Sequence, residues 1–107
     1  MKHICLAVVF LIASNRAGAA NFMNGNRLLD LCRGTLVLEC LGYVQGVVDD
    51  LEDARVAFQR APCLHEGVTV GQVKDATLNY LVAHPEHRDW SAAALVGLAV
   101  EGAWDCK

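Results

Sequence analysis

The residues of this chain best suited to covalent or metal chemistry are four of its five cysteines: Cys32, Cys40, Cys63 and Cys106. The fifth, Cys5, lies in the first twenty residues, which have the pattern of a secretory signal, so export would leave four. A structural zinc site needs a closely spaced pair such as C-x-x-C, and the gaps between these cysteines are all longer than that. An even number of cysteines in a small exported chain is typical of a disulfide framework. The sequence therefore predicts two disulfides and no cysteine-bound metal.

The segment His84-Pro85-Glu86-His87 brings two imidazoles and a carboxylate close together along the chain. Such a set could bind a metal ion or transfer protons, but proline prevents a regular helix from aligning the three side chains. A solvated turn is therefore favoured over a metal or catalytic role. Elsewhere, neither G-x-S-x-G nor H-E-x-x-H occurs. We predict a protein that is not an enzyme and needs no cofactor.

Four acidic residues crowd the segment from residue 49 to residue 53: Asp49, Asp50, Glu52 and Asp53. A calcium loop would need the D-x-D-x-D-G arrangement, which is absent, and helical carbonyl groups are already engaged. The segment is expected to stay in water, as a solvated helix end or, less favoured, as a surface that faces a partner.

The first twenty residues have the three parts of a secretory signal. Lys2 gives the positive start, Ile4 to Ala13 form the apolar stretch, and small residues precede position 21. The apolar stretch has about half the length that a membrane-spanning helix needs. We therefore expect a signal peptide at 1–20, removed on export, and a helical domain at 21–107.

Removal of the signal leaves an acidic domain. Lys2 and Arg16 are lost from nine basic residues, so seven remain against twelve acidic residues, a formal charge of −5. Nucleic acid and anionic membrane surfaces would repel such a protein, whereas a basic protein would attract it. The expected partner is a protein, with no nucleic acid and no membrane.

The longest helical pattern runs from Thr35 to Phe58. Residues at alternating spacings of four and three lie on one face, and all of them except Arg55 are apolar: Val37, Leu41, Val44, Val48, Leu51 and Phe58. Thr35 is expected to cap the helix at its start. Gly42 and Gly46 inside the helix each cost about 1 kcal/mol relative to alanine. Close approach of another helix would compensate for this cost. The last predicted helix, which is rich in small residues, is the expected contact.

Three shorter helices complete the predicted fold. One runs from Arg27 to Arg33 and ends at Gly34; the next begins with a capping box of Thr69 and Gln72 and ends before Pro85. Ser91 is expected to cap the last helix, with Trp90 and Leu95 at the spacing of a hydrophobic staple, and this helix continues to Trp104. The predicted fold is all-α: a small disulfide-stapled bundle of about four helices.

An up-down arrangement of these helices would place the cysteines in two pairs. Cys63 and Cys106 would lie at one end of the bundle, and Cys32 and Cys40 at the other. This favours the disulfides Cys32–Cys40 and Cys63–Cys106, although the other two possible connectivities remain open.

Four segments that follow one another along the chain carry a family resemblance. They are CLGYVQGVVD at 40–49, Cys63 with VTVGQ at 68–72, Tyr80-Leu81 with HPE at 84–86, and AAALV at 92–96 with Trp104 and Cys106. Together they resemble the Rap/Tai family of immunity proteins, over nearly all of the domain. The resemblance implies a periplasmic, commonly dimeric helical protein. Such proteins protect bacteria from peptidoglycan amidases delivered by type VI secretion, by blocking the amidase cleft.

A protein that blocks a narrow cleft must insert a projecting segment. The turn after His84 is exposed, charged and held between two helix ends, so its insertion loses little entropy. We hypothesise that the turn residues enter or rim the cleft: Glu86, His87, Arg88 and Asp89. His65 and Glu66, in the long loop Gln59 to Val68, are the competing insert. Asp49, Asp50 and Asp53 are the expected steering patch.

A second class of function also fits a small, exported, disulfide-bonded helical chain. An acid-stress chaperone would loosen at low pH and expose apolar surface to unfolded proteins. Binding of such clients only below about pH 4, where carboxylates become protonated, would identify this activity.

Overall fold

The computed structural model describes residues 22–106. They form α1 (Gly25–Arg33), α2 (Val37–Ala57), α3 (Val70–Ala83) and α4 (Ala92–Trp104), with a short 3-10 helix over Pro85–His87 before α4. This part of the chain contains no strand, and the predicted all-α, disulfide-stapled bundle is confirmed. None of its helices is both long and apolar enough to cross a membrane. The predicted signal at 1–20 lies outside the described residues.

Helix α1 begins at Gly25, two residues before the predicted start, because Asn24 caps it. The side-chain oxygen of Asn24 accepts a hydrogen bond from the backbone N–H of Arg27 at 3.0 Å. A Cβ atom on Gly25 would lie 2.9 Å from the carbonyl oxygen of Arg88 and would overlap the side chain of Leu95. The glycine therefore allows the start of α1 to lie directly against the segment that leads into α4.

Helix α2 begins at Val37, so the prediction that Thr35 caps it is wrong. Leu36 holds the N-cap position and makes no side-chain hydrogen bond there. A disulfide joins Cys32 in the last turn of α1 to Cys40 in the first turn of α2, with their Cα atoms 5.0 Å apart. The helices are so close in sequence that Thr35 remains in the turn between them.

The buried face of α2 is shorter than its apolar pattern. Cys40, Val44 and Val48 are buried, as the pattern predicts for the two valines, but Phe58 lies beyond the helix and is 79% exposed. Helix α2 has 21 residues, whereas α3 and α4 have 14 and 13. At 1.5 Å per residue, α2 is about 10 Å longer than either neighbour, so its last turns are only partly covered.

The predicted contact of α4 with Gly42 and Gly46 is also wrong. No atom lies within 4 Å of the position that a Cβ would take at either glycine, and both residues are exposed. Helix α4 packs instead against the opposite side of α2. There, a Cβ atom placed on Gly97 would lie 3.6 Å from a methyl group of Leu51. The two glycines in α2 therefore form an open surface within the described chain.

Helix α3 begins with the predicted capping box. The hydroxyl of Thr69 accepts from the N–H of Gln72 at 3.2 Å, and the side chain of Gln72 accepts from the N–H of Thr69 at 2.8 Å. Both bonds satisfy N–H groups that the helix itself cannot pair. Val73, Thr77 and Leu81 are the buried residues of this helix.

Replacement of Thr77 by valine is expected to stabilise the protein by about 1 kcal/mol. Thr77 is fully buried, and its hydroxyl has no hydrogen-bond partner among residues 22–106. Valine has nearly the same shape without the desolvated hydroxyl, so the unfolding midpoint in urea should rise. Thr77→Ala is the control, because it also removes the hydroxyl but leaves a cavity and should lower the midpoint. A lower midpoint for the valine variant would contradict this interpretation.

Helix α4 begins at Ala92, but Ser91 makes no side-chain cap there, contrary to prediction. The N–H of Ala92 donates instead to the carbonyl of Met23 at 3.0 Å. The Tyr43 hydroxyl on α2 forms a hydrogen bond with the backbone of Ala93, and burial raises the pKa of this tyrosine despite that bond. The free N–H groups at the start of α4 are thus satisfied by neighbouring elements.

The second disulfide joins Cys63, in the loop between α2 and α3, to Cys106 after α4. Their Cα atoms are 4.9 Å apart. Together with Cys32–Cys40, this is the pairing that the up-down arrangement of helices favours. Each end of the bundle therefore has one covalent link between elements that are neighbours in space.

Candidate functional site

The turn from Pro85 to Asp89 is held firmly against the bundle. The Nε of Arg88 donates to the carbonyl of Leu81 at 2.6 Å, in the last turn of α3. At the start of α1, the N–H of Asn26 donates to the carbonyl of Arg88 at 2.8 Å. The N–H of Gly25 donates to the carbonyl of Trp90 at 3.0 Å. The turn is thus anchored to two helices, which favours a single conformation.

The predicted insert residues have different positions on this turn. Asp89 is exposed, and the Glu86 side chain is 61% exposed. His87 and Arg88 are half-buried. Because its guanidinium donates to the carbonyl groups at the end of α3, Arg88 positions the turn. Glu86 and Asp89 are therefore the members of this set most available to a partner.

His84, Glu86 and His87 lie together at the start of the turn. Glu86 Oε2 is 3.1 Å from His84 Nδ1 and 3.6 Å from His87 Nε2. No regular α-helix forms at Pro85, as expected, but the three side chains still meet, because their alignment does not need an α-helix. Residues three apart eclipse each other in a 3-10 turn, and His84 and His87 have this spacing.

Aromatic rings support this histidine cluster on both sides. The Tyr80 ring stacks on His84 with centroids 4.3 Å apart, and its hydroxyl lies 2.9 Å from His87 Nδ1. Trp90 stacks on His87 with centroids 4.0 Å apart, where the sequence had predicted a staple to Leu95. Hydrogen bonds from its own backbone and from His84 lower the pKa of Glu86. The cluster therefore combines an ionised carboxylate with two ordered imidazoles.

The competing insert, the loop from residue 58 to residue 69, is organised by one carboxylate of α2. The N–H groups of Cys63 and Leu64 donate to the two oxygens of Glu52, each at 2.9 Å. Farther along, His65 and Glu66 are exposed, and Gly67 has a φ of 96°, which favours glycine. The loop thus presents these two side chains from a base held by a disulfide and by Glu52.

The acidic segment of α2 divides between the surface and this loop. Asp49, Asp50 and Asp53 are exposed, as the sequence predicts for the whole segment. Glu52 is half-buried, because its carboxylate pairs with loop N–H groups. No pattern in the sequence around Glu52 reveals these two partners, which lie 11 and 12 residues farther along the chain.

An open groove separates the ends of α2 and α4 beside the second disulfide. Its volume is about 260 Å³, and its lining includes Leu51, Phe58, Arg60, Val100 and Glu101. The apolar pattern of α2 had assigned the first two of these residues to the core. Their exposure instead adds an apolar surface to the end of the molecule that carries the long loop.

These features define a class of protein: a small, disulfide-stapled helical bundle that presents charged side chains from rigid connections. The family model described as Rap1a immunity proteins matches residues 24–106, which is most of the chain. The chain belongs to this family, and the resemblance noted in the sequence is confirmed. It is therefore an immunity protein that acts against a secreted effector and binds its cognate effector. No curated protein and no solved structure matches the chain significantly.

Proposed function

We propose that this immunity protein is periplasmic and inhibits a peptidoglycan amidase delivered by type VI secretion, by blocking the active-site cleft. The main structural support is the rigid turn that follows α3. Its backbone is bonded to α1 and its Arg88 to α3, while the carboxylates of Glu86 and Asp89 remain exposed. A segment that is already ordered loses little conformational entropy when it enters a cleft.

The exposed acidic residues of α2 serve as the steering patch of this proposal. Asp49, Asp50 and Asp53 lie on the surface of a domain whose formal charge is −5 after removal of residues 1–20. Charges outside a close contact mainly accelerate association, and this effect weakens as salt increases. His65 and Glu66 on the long loop remain the competing insert.

If a peptidoglycan amidase gene lies beside this one, its product tests the proposal. The mature protein should abolish hydrolysis of purified peptidoglycan at a ratio near one to one, and cell fractionation should recover the protein in the periplasm. An amidase that remains active at a large excess of the protein would contradict the proposed target. Recovery in the cytoplasm would contradict the proposed location.

Two matched double variants separate insertion from steering. Glu86→Ala/Asp89→Ala and Asp50→Ala/Asp53→Ala each remove two exposed carboxylates, so both change the charge equally. The turn variant should raise koff at every salt concentration, whereas the patch variant should lower kon mainly at low salt. Unchanged affinity and inhibition in the turn variant, with helicity retained by circular dichroism, would exclude the turn from the mechanism.

We propose that the chain also forms a homodimer. The open side of α2 offers a surface for this contact, since Leu38 is 79% exposed and nothing lies near Gly42 and Gly46. Two helices can approach closely where glycine replaces larger side chains. Sedimentation velocity over a range of concentrations measures the association, and a monomer at every concentration would contradict it.

A further inference from the structure

The histidine cluster at the end of α3 has the geometry of a metal site. The edge of a tetrahedron with metal–ligand bonds of 2.0–2.1 Å is about 3.3 Å long. Glu86 Oε2 lies 3.1 Å from His84 Nδ1 and 3.6 Å from His87 Nε2, so the two spacings bracket this value. All three ligand atoms lie within 4.8 Å of one another. One histidine ring must rotate before a single ion can reach all three residues.

Hydrogen bonding prepares His87 as a ligand through one defined nitrogen. Its Nδ1 lies 2.9 Å from the Tyr80 hydroxyl, and its Nε2 faces Glu86. When Nδ1 carries the proton and donates it to the tyrosine oxygen, the lone pair of Nε2 is free for a metal. Support of a ligand imidazole through its second nitrogen is the usual arrangement in metal sites.

The backbone around the cluster is ordered, and one ring has room to adjust. Pro85 restricts the turn, and Arg88 fastens it to the end of α3. The rings of His84 and His87 are within 3° of parallel, so one must rotate before both lone pairs point at one ion. The side chain of His84 is 39% exposed, which leaves space for that rotation.

We propose that His84 Nδ1, Glu86 Oε2 and His87 Nε2 bind one Zn²⁺ ion, or a related divalent ion that prefers imidazole. The ion replaces the proton that His84 and Glu86 share. Two imidazoles and one carboxylate are a ligand set that suits zinc, copper and nickel. Water fills the remaining coordination position, because Glu86 lies at the surface.

Isothermal titration with ZnCl₂ tests the proposal on the mature protein without a histidine tag and after removal of chelator. We expect one ion per chain. Glu86→Gln and His84→Ala should each weaken binding at least tenfold, because each removes a ligand. Tyr80→Phe should weaken it about tenfold, because it removes the hydroxyl that supports His87. His65→Ala is the matched control, since it removes an exposed histidine outside the cluster and should leave affinity unchanged.

The fluorescence of Trp90 gives an independent readout. Because Trp90 stacks on His87 at 4.0 Å, binding of Cu²⁺ or Ni²⁺ in the cluster should quench it. Trp90→Phe should remove most of this quenching and leave the emission of Trp104. No saturable zinc binding up to about 1 mM would overturn the proposal. Equal affinities for the wild type and the His84 and Glu86 variants, or equal weakening in His65→Ala, would also overturn it. None of these outcomes depends on the effector.

Discussion

Removal of the Cys63–Cys106 disulfide, by replacement of both cysteines with alanine, is expected to lower the free energy of unfolding by about 4 kcal/mol. The bridge joins residues 43 positions apart, and such a link greatly restricts the unfolded chain. Its loss should therefore lower the urea midpoint and also increase the m-value, since the unfolded state becomes more expanded. Equilibrium unfolding followed by circular dichroism measures both quantities.

The double serine variant at positions 63 and 106 is the control for side-chain packing. Serine resembles cysteine in size, so equal losses in the two variants would assign the effect to the bridge. The disulfide Cys32–Cys40 is a poorer comparison, because its fully buried Cys40 also contributes packing that alanine would remove. If removal of the Cys63–Cys106 disulfide lowers the free energy of unfolding by less than about 1 kcal/mol, the stabilising role expected of this disulfide is contradicted.

Replacement of Glu52 by alanine is expected to cost about 2–3 kcal/mol and to release the base of the long loop. The carboxylate accepts two hydrogen bonds of 2.9 Å, from the N–H groups of Cys63 and Leu64. Hydrogen bonds to charged groups are stronger than neutral ones, and here they keep two partly buried N–H groups paired. Urea denaturation measures the stability, and hydrogen exchange at residues 63 and 64 measures the release.

Asp53→Ala is the matched control, because it removes a neighbouring exposed carboxylate with the same change in charge. It should leave both exchange rates and the stability within about 0.5 kcal/mol of the wild type. If the two amides are protected in the Glu52 variant as strongly as in the wild type, the role assigned to this residue is contradicted.

The Glu52 variant also distinguishes the two candidate inserts. If His65 and Glu66 enter the effector, loss of the ordered loop base should raise koff, since the loop must then be ordered on binding. If the turn after α3 is the insert, effector binding should change little, because that turn is bonded to α1 and α3. Surface plasmon resonance with the cognate effector measures this difference.

Local sequence patterns correctly predict much of the fold. Four helices, the capping box at Thr69 and the stop before Pro85 all depend on residues a few positions apart. The four cysteines that follow the predicted signal and the order of the helices together favour the observed disulfides. The family is also recognisable in the sequence, because its segments occur in order. Predictions fail where a neighbour in space competes with the local pattern, as at Thr35 and Ser91.

The candidate site is less accessible to sequence reasoning. The sequence indicates the exposed segments, but it assigns Glu52 to the solvent and does not reveal that the histidines of the turn meet Glu86. The carboxylate of Glu52 meets amides from a distant loop, and the 3-10 geometry that aligns His84 with His87 depends on the anchoring of Arg88 to α3. Helix periodicity, the capping box of α3 and the number of cysteines are determined by the sequence itself. The uncovered end of α2, the open glycines and the histidine cluster depend on which elements pack together, which only the tertiary structure decides.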